Sequence, residues 1–237
     1  MVYVVFYGTL VNVALIVAGS LIGRVFKNIP DRMKQTVMYG IALAVMAIGI
    51  QMTFASTQLL IVIISIVIGS VIGEWINVDK MMEQTGKWLE SKMPARKSGQ
   101  GISQGFITAT MIFVIGSMSI IGAIDSGLRN DHDVLIMKGI IDGFTAIILS
   151  STLGIGVVFS AVPVLLYQGL ITLFSTQISR FVPDDLLELF ISEMTATGGL
   201  MILAIGLNLI GLTKIRVANF IPAIPVVGLV VSIIYAF

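Results

Sequence analysis

Long apolar stretches, each about the length a helix needs to cross a bilayer, recur from one end of this chain to the other. A spanning helix takes about 20 consecutive, mostly apolar residues. Eight segments meet that pattern: 3–26, 35–53, 58–77, 102–125, 134–151, 154–178, 187–211 and 217–236. Lipid cannot satisfy open backbone N–H and C=O groups, so such segments are expected to be helical. The first lacks a basic leader and is too long for a signal-peptide core, so it reads as a retained span.

Composition excludes the soluble alternative. Of the 237 residues, 57% are hydrophobic and 11% charged, with a mean hydropathy of +1.03. Soluble domains hold roughly 45–50% apolar and about 25% charged residues. A single core of this size could not enclose so much apolar surface. The expected fold class is therefore all-α: one transmembrane domain over 1–237, a polytopic helical bundle of about eight spans embedded in a lipid bilayer.

The segment 134–178 is almost continuously apolar. As one helix it would extend about 67 Å, at 1.5 Å per residue. The hydrocarbon core is only about 30 Å thick, so two passes fit better, joined near Ser150–Gly156. Charge placement supports that division. With eight spans and the N-terminus outside, the inside joints carry Arg24, Lys27, Arg32, Lys34, Lys80, Lys87, Lys92, Arg96, Lys97, Lys214 and Arg216. The outside joints carry only Arg129 and Arg180. Both termini are then predicted outside. On the inner face, Met81, Met82, Thr85, Trp88, Leu89 and Met93 recur at helical spacing opposite Lys80, Glu83, Lys87 and Glu90. This predicts an amphipathic surface helix over 79–93.

Two internal echoes appear. Gly19-Ser20-Leu21-Ile22-Gly23 ends the first span and Gly69-Ser70-Val71-Ile72-Gly73 ends the third. Such small-residue faces let helices approach closely. Gly139 and Gly143 form a similar face on the fifth span. Separately, Phe26–Asp31 leads into a span containing Gly49 and Gln51, while Phe181–Asp184 leads into one containing Gly206 and Asn208. In the eight-span topology these spans run in opposite directions. Spans 1–3 and 6–8 are thus expected to form an inverted repeat, a recurring design of secondary transporters.

Ionisable groups inside spans are expensive, so each is a candidate functional residue. Lys138 and Asp142 lie at i, i+4 and can form an intrahelical ion pair. Asp142 is followed by Thr145. Glu193 is followed by Thr195, Thr197, Gly198 and Gly199, small neighbours that leave room for a ligand. Gln51 and Asn208 occupy matching places in the repeat. Asp142, Glu193, Gln51, Asn208, Thr145 and Thr197 make up the candidate substrate or ion site. Asn12, Gln168 and Asn219 read as amides joining helices. Pro163, Pro222 and Pro225 are expected to kink or break spans 6 and 8.

The net charge of +1 gives no global field for nucleic acid, and the absence of cysteine excludes thiolate chemistry. Asp125, Asp131, His132 and Asp133 read as a solvated loop rather than a metal site. No nucleophile elbow, His-Glu-x-x-His, phosphate loop or nucleotide fingerprint is present, so no enzyme, cofactor or metal is expected.

Several segments together resemble one family. They are Gly8–Asn12, Gly139–Ala146, Ser151–Val157, Pro163–Gly169, Glu193–Gly199 and Gly206–Leu209. In order along the whole chain they are similar to the bacterial YdfK/YqgA family of uncharacterised multipass inner-membrane proteins. The resemblance implies a bacterial cytoplasmic membrane and a transporter-like architecture, with no substrate and no catalytic residue to carry over. The expected function is a small secondary transporter or channel-like protein for a small solute or ion, coupled to a proton or cation. The alternative is a non-transporting scaffold or sensor that docks a partner through the 79–93 helix. A homo-oligomer, most simply a dimer, is expected from the small-residue faces.

Overall fold

The computed structural model describes residues 5–25, 31–91 and 102–236. Lys27, Pro30's approach at 26–30, and the end of the amphipathic segment with Lys92, Met93, Arg96 and Lys97 lie outside them. The described residues form helices and no strands. In chain order these are α1 (Tyr7–Val25), α2 (Asp31–Thr53), α3 (Leu59–Ile76), α4 (Val78–Ser91), α5 (Ile102–Val114), α6 (Ser117–Arg129) and α7 (Asp133–Leu153). A 3-10 turn over Ile155–Ser160 leads into α8 (Ala161–Phe181), followed by α9 (Asp184–Ile210). A second 3-10 turn over Val217–Phe220 precedes α10 (Ala223–Ala236). Among the described residues, six helices are long and apolar enough to cross a membrane. The pair α5 and α6, bent by 61°, makes a seventh if it counts as one span, and Met38–Thr53 within α2 is a shorter apolar helix.

Local chemistry explains the breaks. Between α7 and α8 the chain turns at Gly154 with φ of 84°, a left-handed conformation open to glycine. This separates the long apolar stretch into two helices within the expected joint. The expected single helix over 102–125 is instead broken at Ile115 and Gly116, where Gly116 adopts φ of 142°. No proline marks that break, so sequence gave little warning of it. The prolines behave differently from the expected mid-span kinks. Pro163 and Pro225 are the third residues of α8 and α10, and Pro222 lies just before α10. A missing N–H removes nothing in the first turn of a helix, so these prolines start helices after a 3-10 entry rather than bend them.

The chain divides into two compact units that interleave in sequence. The first comprises 1–34 and 83–181, and the second 35–82 and 182–237. In the first unit α1 packs closely on α7. A Cβ at Gly19 would meet the Gly143 carbonyl, and one at Gly23 the Ile147 carbonyl. The Ser150 hydroxyl donates across this contact to the Ser20 carbonyl (2.7 Å). In the second unit α3 packs on α10 and its 3-10 entry in the same manner. A Cβ at Gly69 would meet Ala223, and one at Gly73 the Asn219 carbonyl. Close backbone approach substitutes for the hydrophobic drive that lipid removes. Gly73→Val is therefore expected to lower stability by about 3 kcal/mol through forced separation of the helices. Thermal unfolding in detergent measures this, and an unchanged melting temperature would refute it.

Candidate functional site

The first unit buries its charge at the break between α5 and α6. A helix leaves its last carbonyls without intrahelical partners. Phe113, one residue from the end of α5, has such a carbonyl in the apolar interior, where leaving it bare would cost several kcal/mol. The Lys138 ammonium donates to it (2.8 Å), and the Ser119 hydroxyl of α6 also donates to it (3.3 Å). A cation at a helix C-terminus also opposes the dipole. One turn further along α7, the Asp142 carboxylate pairs with the same ammonium. Lys138 and Asp142 are each only 5% exposed, so the pair is desolvated as a unit.

Amides complete the shell. Asn12 of α1 lies beside Asp142 and donates to the Gln168 side-chain oxygen of α8 (3.2 Å). Gln168 in turn donates to the Ser119 hydroxyl (3.4 Å). Five helices thus converge on one ion pair. Asn12 Oδ1 and the hydroxyls of Thr9, Thr110 and Thr172 are buried without a hydrogen-bond partner in the protein. Thr9 lies three residues before Asn12 on α1, and Thr172 four residues after Gln168 on α8, so each shares a face with its amide. Polar capacity therefore exceeds what the protein itself uses, as at a site that takes water or a small ligand.

Glu193 lies in the second unit and is fully buried. Its carboxylate accepts from the Ser56 hydroxyl (2.6 Å), the Thr57 N–H (2.9 Å), the Thr57 hydroxyl (3.1 Å) and the Gln58 N–H (2.9 Å). These residues form the turn that opens α3. Gln58, its N-cap residue, makes no side-chain cap bond. Glu193 is therefore a cap supplied by α9, with its charge at the positive end of the α3 dipole. Both oxygens are occupied by donors, which suits an anchor better than a mobile proton or cation site.

The remaining candidates are distributed unevenly. Thr197 donates to the Glu193 carbonyl one turn back (2.8 Å). Asn208 ties down its own joint, donating to the Ile215 carbonyl (2.7 Å) and accepting from the Thr213 hydroxyl (2.7 Å) and the Ile215 N–H (2.9 Å). Gln51 is exposed. Thr145 is half-buried and donates back to the Ile141 carbonyl (2.9 Å). Asp142 and Thr145 belong to the first unit, whereas Gln51, Glu193, Thr197 and Asn208 belong to the second. Sequence reasoning overlooked the Phe113 carbonyl and Ser119's share in it, because backbone acceptors carry no residue signature. Ser56-Thr57-Gln58 could have been found, since hydroxyls ahead of an apolar run are a helix-start signal.

Comparison with known proteins agrees with the membrane reading. Residues 7–232 match the family model described as a protein of unknown function, DUF554. The chain is 33% identical to the uncharacterized membrane protein YdfK of Bacillus subtilis (strain 168) over 239 residues, covering 98% of each. It is 25% identical to the uncharacterized protein YqgA of Escherichia coli (strain K12) over 224 residues, covering 92% of each. No solved structure matches.

Proposed function

The chain belongs to the DUF554 family of membrane proteins, and from its own geometry we propose that it moves a small solute or ion across a bacterial cytoplasmic membrane through the first unit. The observation that carries this reading is the broken pair α5–α6 with a buried ion pair at the break. Discontinuous helices place carbonyls and dipole ends where a solute or ion can use them. Buried charge in a membrane interior is costly enough to call for a use. Asp142 is the tenth residue of α7, about 14 Å from its start at 1.5 Å per residue, close to the middle of a 30 Å hydrocarbon core.

Eight spans with both termini outside remain the topology we favour. Hydrogen bonds and ion pairs within each unit join ends that this topology puts on one side of the membrane. Ser20 meets Ser150. Glu193 meets the 54–58 turn. Arg216 pairs with Glu74 (2.7 Å), which also accepts from Asn219 (2.7 Å). The inverted repeat gains support from the same contacts. Each pair of proposed equivalents packs together: α1 with α8, α2 with α9, and α3 with α10. The shift that sets Gly49 on Gly206 also sets Ala42 on Gly199 and Met46 on Leu203. Gly49 lies against Gly199 and Leu203, while Gly206 lies against Ala42 and Met46. Any two antiparallel helices cross about a local dyad. Here the shift read from sequence carries each contact into the other. It also brings Asn12 within one residue of Gln168, the amide it touches.

Shrink–swell light scattering on vesicles holding the purified chain tests the proposal, with a panel of small neutral and charged solutes. At least one solute is expected to permeate faster than through empty vesicles, with Asp142→Asn lowering its rate by about tenfold or more. Rates equal to those of empty vesicles across the panel would overturn it.

A further inference from the structure

We infer that the oxygen cage around the Lys138 ammonium is a monovalent-cation site, in which the ammonium is the resident cation and exchanges with an alkali ion. This rests on the transport reading above and names what the same site takes. The polar partners of the nitrogen among the described residues are oxygens. Two contact it directly, the Phe113 carbonyl and the Asp142 carboxylate. The Ser119 hydroxyl shares the Phe113 carbonyl, and Asn12 lies beside Asp142. Asn12 Oδ1 is buried and unpartnered, an acceptor available to a cation that loses water on entry. Carbonyl, carboxylate, hydroxyl and amide oxygens form a hard-cation set. The C-terminal end of a half-helix is where transporters place such ions.

Charge fixes the valence. Among the described residues, Asp142 is the one charged group paired with Lys138. The other elements packed around the pair bring no charge to it. Helix α5 has no ionisable side chain, α1, α6 and α8 carry their charged ones at their ends as Arg24, Asp125, Arg129 and Arg180, and the phenols Tyr7 of α1 and Tyr167 of α8 are neutral. Asp133 likewise sits in the first turn of α7. One carboxylate in a low-dielectric interior balances one positive charge, and a second is strongly disfavoured. A divalent ion would leave an uncompensated charge, and so would a monovalent ion added beside the ammonium. Entry of the ion therefore requires the ammonium to give one proton to water. Its nitrogen becomes a neutral amine and the ion takes over the oxygens. The exchange is one cation in for one proton out, and it reverses on the other side.

The test uses the full chain in vesicles with an internal pH dye, pulsed with NaCl, LiCl or KCl, and with choline chloride as the blank. At least one alkali cation is expected to move protons in the opposite direction, with Asp142→Asn abolishing the signal. Lys138→Met supplies a second readout that needs no transport. It leaves Asp142 without its internal cation, so its melting temperature is expected to rise with that alkali chloride and not with choline chloride. The inference is overturned if none of the three salts moves protons, or if the proton signal survives Asp142→Asn. Melting of Lys138→Met that is the same in all four salts overturns it as well. Should proton movement be absent while solute permeation still depends on Asp142, the transport reading stands and only the cation exchange fails. Silence in both assays would remove the transport reading itself.

Discussion

Lys138→Met is expected to destabilise the protein by about 3–5 kcal/mol, the usual penalty for stripping one partner from a buried ion pair. The large effect comes from what remains behind. Asp142 would lose its cationic partner in a buried setting, and the Phe113 carbonyl would retain a single donor among the described residues, the Ser119 hydroxyl. The double variant Lys138→Met with Asp142→Asn removes both charges together. It is expected to recover most of the loss, because a neutral, well-filled pair replaces a buried ionic one at little net cost. Unfolding in detergent of the wild type, both single variants and the double variant gives the coupling directly. Additive losses would mean that the two side chains do not act as a pair.

Glu193→Ala is expected to cost about 3–5 kcal/mol, for a different reason. The carboxylate accepts four hydrogen bonds, two of them from the backbone N–H groups of Thr57 and Gln58. Each buried donor left bare costs about 1–3 kcal/mol. Glu193→Gln keeps one acceptor oxygen for those N–H groups and presents an amide to the Ser56 hydroxyl, so about 1–2 kcal/mol is expected for it. The ordering of the two variants in a melting experiment identifies Glu193 as the cap of α3. If both melt like the wild type, Glu193 does not hold that turn. Loss of solute permeation in a fully stable Glu193→Gln protein would instead return this residue to the transported pathway.

The positions that matter here were not equally visible in the sequence. Lys138 and Asp142 stand one turn apart in an apolar stretch, so local helix geometry pairs them without any knowledge of the fold. Gly19, Gly23, Gly69 and Gly73 are spaced for helix packing, but nothing local says which helix each will meet. The partners turned out to be Gly143, Ile147, Ala223 and Asn219, all far away in the chain. Glu193 looked like a candidate ion ligand because the residues after it are small and polar. Its donors lie on a turn more than a hundred residues earlier, and only packing of α9 against that turn shows its acceptors to be filled.

The apolar stretches that open the sequence settled the class of protein on their own. Their length matches the bilayer, and backbone groups in lipid have no partner except within a helix. Tertiary structure decided where those helices break and what the breaks hold. The interruption at Ile115 and Gly116 has no proline to announce it. It survives because a lysine from α7 and a serine from α6 satisfy the Phe113 carbonyl it exposes. That compensation depends on groups brought together from separate helices, so no single stretch of sequence could specify it.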